Sequence, residues 1–214
     1  MFDFKKEYGT YEEYHFRFAM WKEAINKIND LNSIPGQTAT YAMNHFGDLT
    51  PEEFKLYYLG YKPNRKHNEA IKLDTSNLPD NVDWVTKGAV TPIKDQGGCG
   101  SCWAFAATGS LEGAYFLKGN TLTSFSEQQL VECSHAQGNE GCNGGFPSYA
   151  FVYLKDHYIE TEDSYPYTGY DIKCNYDQSK GVTEVPEAIS VAKETKQLQA
   201  AVAMAPIAIG VDAS

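Results

Sequence analysis

The sequence predicts a protein of the α+β class, in which helices dominate and extended segments are short. Three observations favour this class. Apolar residues recur at alternating spacings of four and three between residues 14 and 28, and a proline-free run rich in Ala, Leu and aromatics spans 101–118. Residues 206–212 form a short, nearly continuous apolar run of the kind found in a buried strand.

Composition and charge limit the class of protein and its partners. The chain has 214 residues, of which 42% are hydrophobic and 14% aromatic, so it can bury the core of one or two domains. Its mean hydropathy is -0.46 and no apolar run approaches the ~18 residues of a membrane span, so we expect no membrane partner. The net charge of -10 argues against nucleic acid as a partner, and it fits either an acidic compartment or ordinary solubility.

The first helix is predicted from a capping box and an apolar stripe. In Thr10-Tyr11-Glu12-Glu13, Thr10 is suited to cap the helix and Glu13 to reach back, which places the helix start near Tyr11. Residues 32–36, which include Pro and Gly, end it. We expect Glu13 and Arg17, four residues apart, to form an ion pair on its surface. The stripe consists of Tyr14, Phe18, Trp21, Ile25 and Ile28.

Three further segments precede residue 78. Tyr41–Asp48 alternates like a short strand. Thr50-Pro51-Glu52-Glu53 is a second capping box and predicts a helix to about Leu59, which Gly60 ends. Residues 61–77 are polar and lack periodicity, so we expect an exposed linker there.

The stretch from Gln96 to Cys102 carries the chemistry. The predicted helix over 101–118 places Cys102 in its first turn, where unpaired backbone N–H groups and the helix dipole favour a thiolate over a thiol. The glycines that follow Gln96 allow its side-chain amide to approach the sulfur and to donate to a developing oxyanion. These groups form half of an acyl-transfer site.

Cys102 also has other interpretations. Cys99-Gly100-Ser101-Cys102 has the spacing of a redox dithiol or of half a zinc site, but no second pair of Cys or His follows at zinc spacing. A buried, inert cysteine is a third interpretation. All five cysteines follow residue 98, and this odd count predicts two disulfides and a free thiol. Spacing alone leaves the pairing open.

The rest of the chain is predicted to contain three helices, a loop and a strand. A third capping box, Ser126 to Gln129, predicts a helix that ends near residue 133, and Pro147 suits the first position of a helix to about residue 157. A glycine-rich loop, 138–145, lies between them. Residues 194–204 are predicted to be helical, and the buried strand at 206–212 follows.

The residues around Cys102 resemble a known family. Gln96 followed by Cys99-Gly100-Ser101-Cys102-Trp103 is similar to the motif of the papain and cathepsin cysteine proteases. This resemblance implies the papain-like two-lobed fold, here as its N-terminal helical lobe and the start of its β-rich lobe, with a helical propeptide domain before it. It implies Cys102 as the nucleophile and Gln96 in the oxyanion hole. It also implies two disulfides, Cys99–Cys142 and Cys133–Cys174.

The N-terminal residues resemble the inhibitory propeptides of cathepsin L-like proteases. The pattern departs from the family at Ala24 and Ala42. By this resemblance, 1–60 is an inhibitory propeptide domain, 61–77 is the propeptide linker and cleavage region, and 78–214 is the catalytic domain. The residues that match the two propeptide motifs are Glu13, Arg17, Trp21, Ile28 and Asn32 in the first, and Asn44, Phe46 and Asp48 in the second.

A related hypothesis concerns Asp48. Propeptide carboxylates that become neutral at low pH would loosen the inhibitor, and Asp48 is the carboxylate of the second motif.

The same resemblance assigns substrate-binding residues. Gly144 and Gly145 let a bound peptide approach and pair with the backbone as an added strand. Phe146 and Pro147 are expected to wall an apolar pocket for the side chain second from the cut. Gly210 is expected to shape that same pocket.

The general base is not predicted among the residues present. The family places its His and Asn about 130–150 residues after the nucleophile, and Ser214 ends the chain before that distance. His135 and His157, the histidines after Cys102, are expected to serve other roles. No signal-peptide pattern precedes Phe4. We therefore expect a sequence incomplete at both ends.

The predicted function is that of a cysteine-type endopeptidase zymogen that is activated by propeptide removal and needs no metal or cofactor. Its partners would be peptide and protein substrates and its own propeptide as an intramolecular inhibitor. We expect a monomer in the lysosome or vacuole, or a secreted protein. The alternative is a non-catalytic, truncated protein that inhibits proteases through residues 1–77.

Overall fold

The computed structural model describes residues 4–60 and 70–211. They form two compact units, with the boundary between Leu56 and Tyr57. The α-helices are α1 (Tyr11–Asn32), α2 (Pro51–Tyr58), α3 (Cys102–Leu117), α4 (Glu127–Cys133), α5 (Pro147–Tyr153) and α6 (Thr195–Met204). Short 3-10 turns occur at His135–Gln137, Gly141–Asn143 and Gln178–Lys180.

Helix α1 begins as the capping signal predicts. The Thr10 hydroxyl accepts a hydrogen bond from Glu13 N at 3.1 Å. The Glu13 carboxylate reaches back one residue further than expected and accepts from Gly9 N at 3.1 Å. Two aromatic side chains of the predicted stripe, Phe18 and Trp21, stack with ring centroids 6.2 Å apart. The stripe is thus a real helix face, although no residue of α1 is fully buried.

The prediction of an ion pair between Glu13 and Arg17 within α1 is wrong. Arg17 instead forms a two-pronged ion pair with Glu53, with Nη1–Oε2 and Nη2–Oε1 distances of 2.5 and 2.9 Å. Glu53 is also the reciprocal partner of Thr50 in the second capping box. Glu53, held by Thr50 N, presents both carboxylate oxygens to the guanidinium fork, whereas the Glu13 carboxylate is bonded to Gly9 N. The tertiary pair therefore replaces the local one.

The strand expected over Tyr41–Asp48 is absent. Residues 45–48 form turns, and Phe46 N donates to the Asn44 side chain at 2.9 Å. The backbone of Tyr41 is paired with a side chain, because Asn32 Nδ2 donates to Tyr41 O and Asn32 Oδ1 accepts from Tyr41 N, both at 2.8 Å. An alternating pattern forms a strand only when another strand supplies these hydrogen bonds.

The second unit is built around α3, which packs against α4 and α5. Ser126 caps α4 by accepting from Gln129 N at 2.9 Å. The capping box predicts that the Gln129 side chain reaches back to Ser126. Instead, this side chain accepts from Glu160 N at 2.7 Å. The largest apolar side chains fully buried here are Trp103, Phe125, Leu130, Leu154 and Ile159.

The strand expected over Pro206–Asp212 is also absent where it is described, through residue 211. Ile209 and Val211 are 59% and 71% exposed, so the run is not buried either. Within 4–60 and 70–211, β pairing consists of isolated bridges. An apolar run becomes a buried strand only when a sheet and a second layer cover it.

Two disulfides fix the loops of the second unit. Cys99 is bonded to Cys142, and Cys133 is bonded to Cys174. This is the pairing that the family resemblance implies, and it leaves Cys102 as a free thiol.

Candidate active site

The free thiol lies at the start of α3. Ser101 precedes it as the N-cap, and its carbonyl accepts from Ala104 N at 2.8 Å. Cys102 is the first residue of the helix and is partly exposed, whereas Ser101 and Trp103 on either side are buried. The helix therefore holds the sulfur at its positive end, open to a reactant.

The Gln96 side chain is close to the backbone carbonyl of Tyr58, the last residue of α2. Its Nε2 donates to Cys99 O at 2.9 Å and to Tyr58 O at 3.3 Å. The amide that the sequence assigns to an oxyanion is therefore occupied by a peptide carbonyl of the same chain.

Gly145 binds the carbonyl of Gly60, two residues after Tyr58. Its N–H donates to Gly60 O at 2.9 Å. Gly60 is buried, and a Cβ there would lie 1.8 Å from Gly100 O. Only glycine fits this close approach of two backbones. The carbonyls of Tyr58 and Gly60 thus take the positions at Gln96 and Gly145 that the family resemblance reserves for a substrate.

Sequence reasoning missed this role of Gly60, which it treated only as a helix stop. Gly60 does follow α2, which ends at Tyr58. Its second role depends on Gly100, which is distant in sequence, so no local signal points to it.

Tyr167 is a positioning residue that the sequence did not single out. Its hydroxyl donates to Gln96 O at 2.8 Å and lies 2.6 Å from the Ser101 hydroxyl. Burial raises the pKa of Tyr167, so the hydroxyl remains a donor over the whole physiological range. Tyr167 thereby joins the loop that carries the amide to the cap of the helix that carries the thiol.

The glycine-rich loop is held by Asn139 and Trp103. Asn139 Oδ1 accepts from Phe146 N, and its Nδ2 donates to Ser134 Oγ, both at 2.8 Å. Trp103 Nε1 donates to Gly141 O at 3.2 Å. These contacts hold the loop that carries the Gly145 N–H.

The remaining predicted substrate residues lie in different settings. Gly144 is buried and accepts from Glu140 N at 2.8 Å. Phe146 is half-buried, and Pro147 is the buried first residue of α5. Gly210 is exposed in the segment after α6.

Both histidines after Cys102 are bonded elsewhere. His135 Nδ1 lies 3.2 Å from Glu132 O, and its Nε2 lies 3.1 Å from Asp171 Oδ2. His157 Nδ1 lies 2.9 Å from Tyr153 O, and its ring stacks on Tyr153 with centroids 4.2 Å apart. All of these partners are groups other than the Cys102 thiol, and His135 is exposed.

A buried charge cluster supports the helices of the site. Lys94 Nζ lies 2.6 Å from Glu112 Oε1 and 2.6 Å from Glu127 Oε1, and both carboxylates are 1% exposed. Burial by itself would lower the pKa of Lys94, but the two carboxylates outweigh it and leave that pKa raised. The ammonium thus links α3 to α4.

The described residues include no cluster of three or more His, Cys, Asp or Glu that could hold a metal ion. In the same part of the chain, no helix has the length and apolarity to cross a bilayer.

Known protein families and relatives match almost the whole chain. Residues 78–214 match the papain family cysteine protease, and residues 1–54 match the cathepsin propeptide inhibitor domain. The chain is 44% identical to procathepsin L of Mus musculus over 98% of its own length and 65% of that protein. It is 42% identical to digestive cysteine proteinase 3 of Homarus americanus, covering 98% and 67% of the two chains.

Solved structures agree with these relatives. Digestive procathepsin L 3 of the Tenebrio molitor larval midgut matches with a TM-score of 0.82 and 36% identity, over 94% of this chain and 67% of that one. The recombinant stem bromelain precursor matches with a TM-score of 0.83 and 28% identity, over 96% and 67%. The chain spans about 65% of the length of the procathepsin L relatives it matches.

Proposed function

The chain belongs to the papain family of cysteine proteases and carries a cathepsin propeptide inhibitor domain, and from this premise we propose that it is a cysteine-type endopeptidase zymogen. In this proposal, residues 1–60 are the inhibitory domain, 61–77 contain the cleavage region and 78–214 are the catalytic domain. Residues 61–69 lie outside the part of the chain that the structure describes.

One observation carries the proposal. The Gln96 amide and the Gly145 N–H bind the carbonyls of Tyr58, the last residue of α2, and of Gly60, two residues later. Two donors that would hold a substrate peptide therefore already hold a peptide of the same chain. This is the contact expected of an intramolecular inhibitor.

The proposed reaction is peptide hydrolysis. The Cys102 thiolate attacks the scissile carbonyl carbon, and the Gln96 amide and the Cys102 N–H donate to the oxyanion that forms. An imidazolium, formed when an imidazole takes the thiol proton, protonates the leaving amine as the C–N bond breaks, and water then releases the acyl group from the sulfur as a carboxylic acid. The helix start at Cys102 and the position of Gln96 support this assignment.

We assign the imidazole, and the Asn that orients it, to the part of the relatives' catalytic domain that this chain does not span. The contacts of His135 and His157 support this assignment, because both rings are bonded to groups other than the thiol.

Substrate preference, partners and location belong to the same proposal. Phe146, Pro147 and Gly210 would form a pocket for an apolar side chain second from the cut. Two disulfides are typical of an oxidising compartment, which fits a lysosomal, vacuolar or secreted protein. A monomer acting on peptides and proteins, with its propeptide as inhibitor, completes the proposal.

Sequencing the native transcript beyond the codon for Ser214 tests the proposal first. We expect an open frame that encodes a His and then an Asn. The protein expressed from that frame should cleave peptides with an apolar residue second from the cut once its propeptide is removed. Cys102→Ala should abolish this activity, and a Cys102→Ala protein that retains full activity would refute the proposed nucleophile.

A second candidate function is protease inhibition by a non-catalytic chain. The match of residues 1–54 to an inhibitor domain favours it. A stop codon directly after Ser214, with recombinant 1–77 inhibiting related proteases, would support it. Recombinant 1–77 that is folded and inhibits none of them would discard it.

A further inference from the structure

Glu162 is a partly buried carboxyl group to which the proposed reaction gives no role. Its Oε1 accepts a hydrogen bond from Tyr167 N at 2.8 Å. Its Oε2 is buried, and no hydrogen-bond partner for this atom lies within residues 4–60 and 70–211. Unpartnered buried polar atoms are rare in native proteins, and each calls for a physical explanation.

The charges around Glu162 do not favour its ionised form. Lys94 is a cation that acts on Glu162, but its ammonium is already bonded to two other carboxylates. Glu127 on α4 and Asp163, the next residue of the chain, add negative charge. Burial has the largest effect on the pKa of Glu162 and leaves it raised, although Lys94 and the backbone hydrogen bond lower it. The folded chain therefore retains this proton to higher pH than an unfolded chain.

Tyr167 connects Glu162 to the candidate active site. Its backbone N–H is bonded to Glu162, whereas its hydroxyl donates to Gln96 O at 2.8 Å and lies 2.6 Å from Ser101 Oγ. Its ring packs edge-on against Phe105 of α3, with centroids 4.9 Å apart. Glu162 thus holds the backbone of a residue whose side chain holds the loop of the proposed oxyanion donor.

We propose that Glu162 is a positioning residue for the Gln96 amide, that it acts through Tyr167, and that its neutral carboxyl group is the form that holds Tyr167 in place. The inference rests on the proposed function only in that Gln96 donates to the oxyanion. A movement of Tyr167 shifts the Gln96 backbone, and the side-chain amide moves with it. Acid conditions therefore keep the donor in position.

The physical basis is the cost of a charge on an atom that water does not reach. A neutral carboxyl group without a partner at Oε2 lacks hydrogen bonds at one atom, whereas the ionised group also buries charge there. Turning Oε2 toward water relieves this cost but takes Oε1 away from Tyr167 N. Because the folded-state pKa of Glu162 is raised, the bonded arrangement is complete below the unfolded-state pKa and is lost as pH rises through the folded-state value.

Nuclear magnetic resonance of the whole chain follows both ends of this connection. The chemical shift of the Glu162 carboxyl carbon reports its protonation, and the side-chain N–H signals of Gln96 report the position of the donor. We expect Glu162 to titrate at higher pH than in the same chain unfolded in urea, and the Gln96 signals to shift with the same midpoint. A Glu162 midpoint at or below the unfolded value, or Gln96 signals that do not follow it, would overturn the proposal.

Two variants separate this connection from a general change of structure. Glu162→Gln keeps an oxygen acceptor but cannot ionise, so the Gln96 signals should lose the part of their shift that follows Glu162, while any shift due to the neighbouring Asp95 remains. Tyr167→Phe removes the hydroxyl that holds Gln96 O, so Glu162 should still titrate but the Gln96 signals should no longer follow it. Glu187→Gln, the same change at an exposed residue, should behave like the unmodified chain.

Hydrogen exchange at the Tyr167 amide tests the first step of the connection by itself. At one acid pH, Glu162→Leu should speed this exchange about tenfold, because the acceptor is lost, whereas Glu162→Gln should stay within about twofold of the unmodified chain. Equal rates in the two variants would show that Glu162 does not hold Tyr167. None of these measurements uses peptidase activity, so a failure here is distinct from a failure of the proposed function.

Discussion

At the residue scale, two carboxylates with almost no exposure share one ammonium. Besides Lys94, Glu112 Oε1 accepts from Phe125 N at 2.9 Å, and Glu127 Oε1 accepts from Thr108 Oγ1 at 2.6 Å. Buried carboxylates are tolerated only with such compensation. The cluster thus places α3 and α4, and the thiol at the start of α3 depends on it indirectly.

Lys94→Met should therefore be strongly destabilising. Removing the ammonium leaves Glu112 and Glu127 buried without a counter-charge, which should lower the free energy of unfolding by about 3–5 kcal/mol. Urea unfolding at neutral pH measures this loss. Lys155→Met, at an exposed lysine, should change the free energy by less than about 0.5 kcal/mol. Similar losses in the two variants would contradict the role of the cluster.

Asp48 is the corresponding residue of the N-terminal unit. It is 4% exposed, Tyr8 Oη donates to its Oδ2 at 2.8 Å, and Lys6 Nζ lies 3.1 Å from its Oδ1. Burial alone would raise the pKa of Asp48, but Tyr8 and Lys6 outweigh burial and leave the pKa lowered. These partners stabilise the ionised carboxylate specifically.

The stability of this unit should consequently fall in acid. Because the folded-state pKa of Asp48 lies below that of the unfolded chain, its contribution is complete above about pH 5 and is lost as pH falls through the folded-state value. We expect Asp48→Asn to cost about 1–2 kcal/mol at pH 7 and to flatten this pH dependence. Urea unfolding between pH 7 and pH 3, followed by circular dichroism, measures both effects.

Asp30→Asn is the control for this experiment, because Asp30 is exposed on α1. It should leave the pH dependence unchanged. A steep acid transition that persists unchanged in Asp48→Asn would argue against the acid-sensing hypothesis for this carboxylate.

At the element scale, α3 contains two glycines in contrasting environments. Gly109 is exposed, and a Cβ there would meet no heavy atom within 4 Å. Gly113 is buried, and a Cβ there would lie 2.5 Å from Pro206 Cγ. Gly109 therefore only lowers the stability of the helix, whereas Gly113 permits a close approach of the segment after α6.

Alanine at these two positions should therefore act in opposite directions. Gly109→Ala should raise the free energy of unfolding by about 0.5–1 kcal/mol, because alanine is the better helix former and loses less backbone entropy. Gly113→Ala should lower it by about 1–3 kcal/mol through overpacking. Thermal unfolding of both variants compares them directly, and a stabilising Gly113→Ala would be inconsistent with the Pro206 contact.

At the scale of the whole molecule, backbone contacts between distant parts of the sequence hold the chain around Gly60 at the candidate active site. The Gly60–Gly100 approach and the Gly145–Gly60 hydrogen bond both belong to the second compact unit. They hold the segment after α2 against the loops around the thiol.

Gly60→Ala should displace this segment from the loops around Cys102, which is already partly exposed, and make the thiol more accessible. The added methyl group overlaps Gly100 O, so the segment must shift and weaken its hydrogen bond to Gly145. We expect iodoacetamide to modify Cys102 about two- to tenfold faster in this variant, measured by mass spectrometry at fixed pH. Gly109→Ala should react at the rate of the unmodified chain, and the same rate in Gly60→Ala would show that the segment does not limit access.

The sequence by itself determined the features that depend on near neighbours. The helix starts at Thr10, Thr50 and Ser126 follow from capping residues three positions from their partners, and all three caps are present. The thiol at a helix start follows from the composition of 101–118. The family motif around Cys102 added the papain-like fold, which the comparisons show.

Only the tertiary structure decided which distant groups meet. Arg17 pairs with Glu53 rather than Glu13, and Gln197 binds Leu73 across 124 positions in sequence. The expected strands at 41–48 and 206–212 did not form within the described residues, because a strand needs a neighbour to complete its hydrogen bonds. Capping and periodicity are local properties of a chain, whereas ion pairs, strand pairing and backbone contacts depend on where the rest of the chain lies.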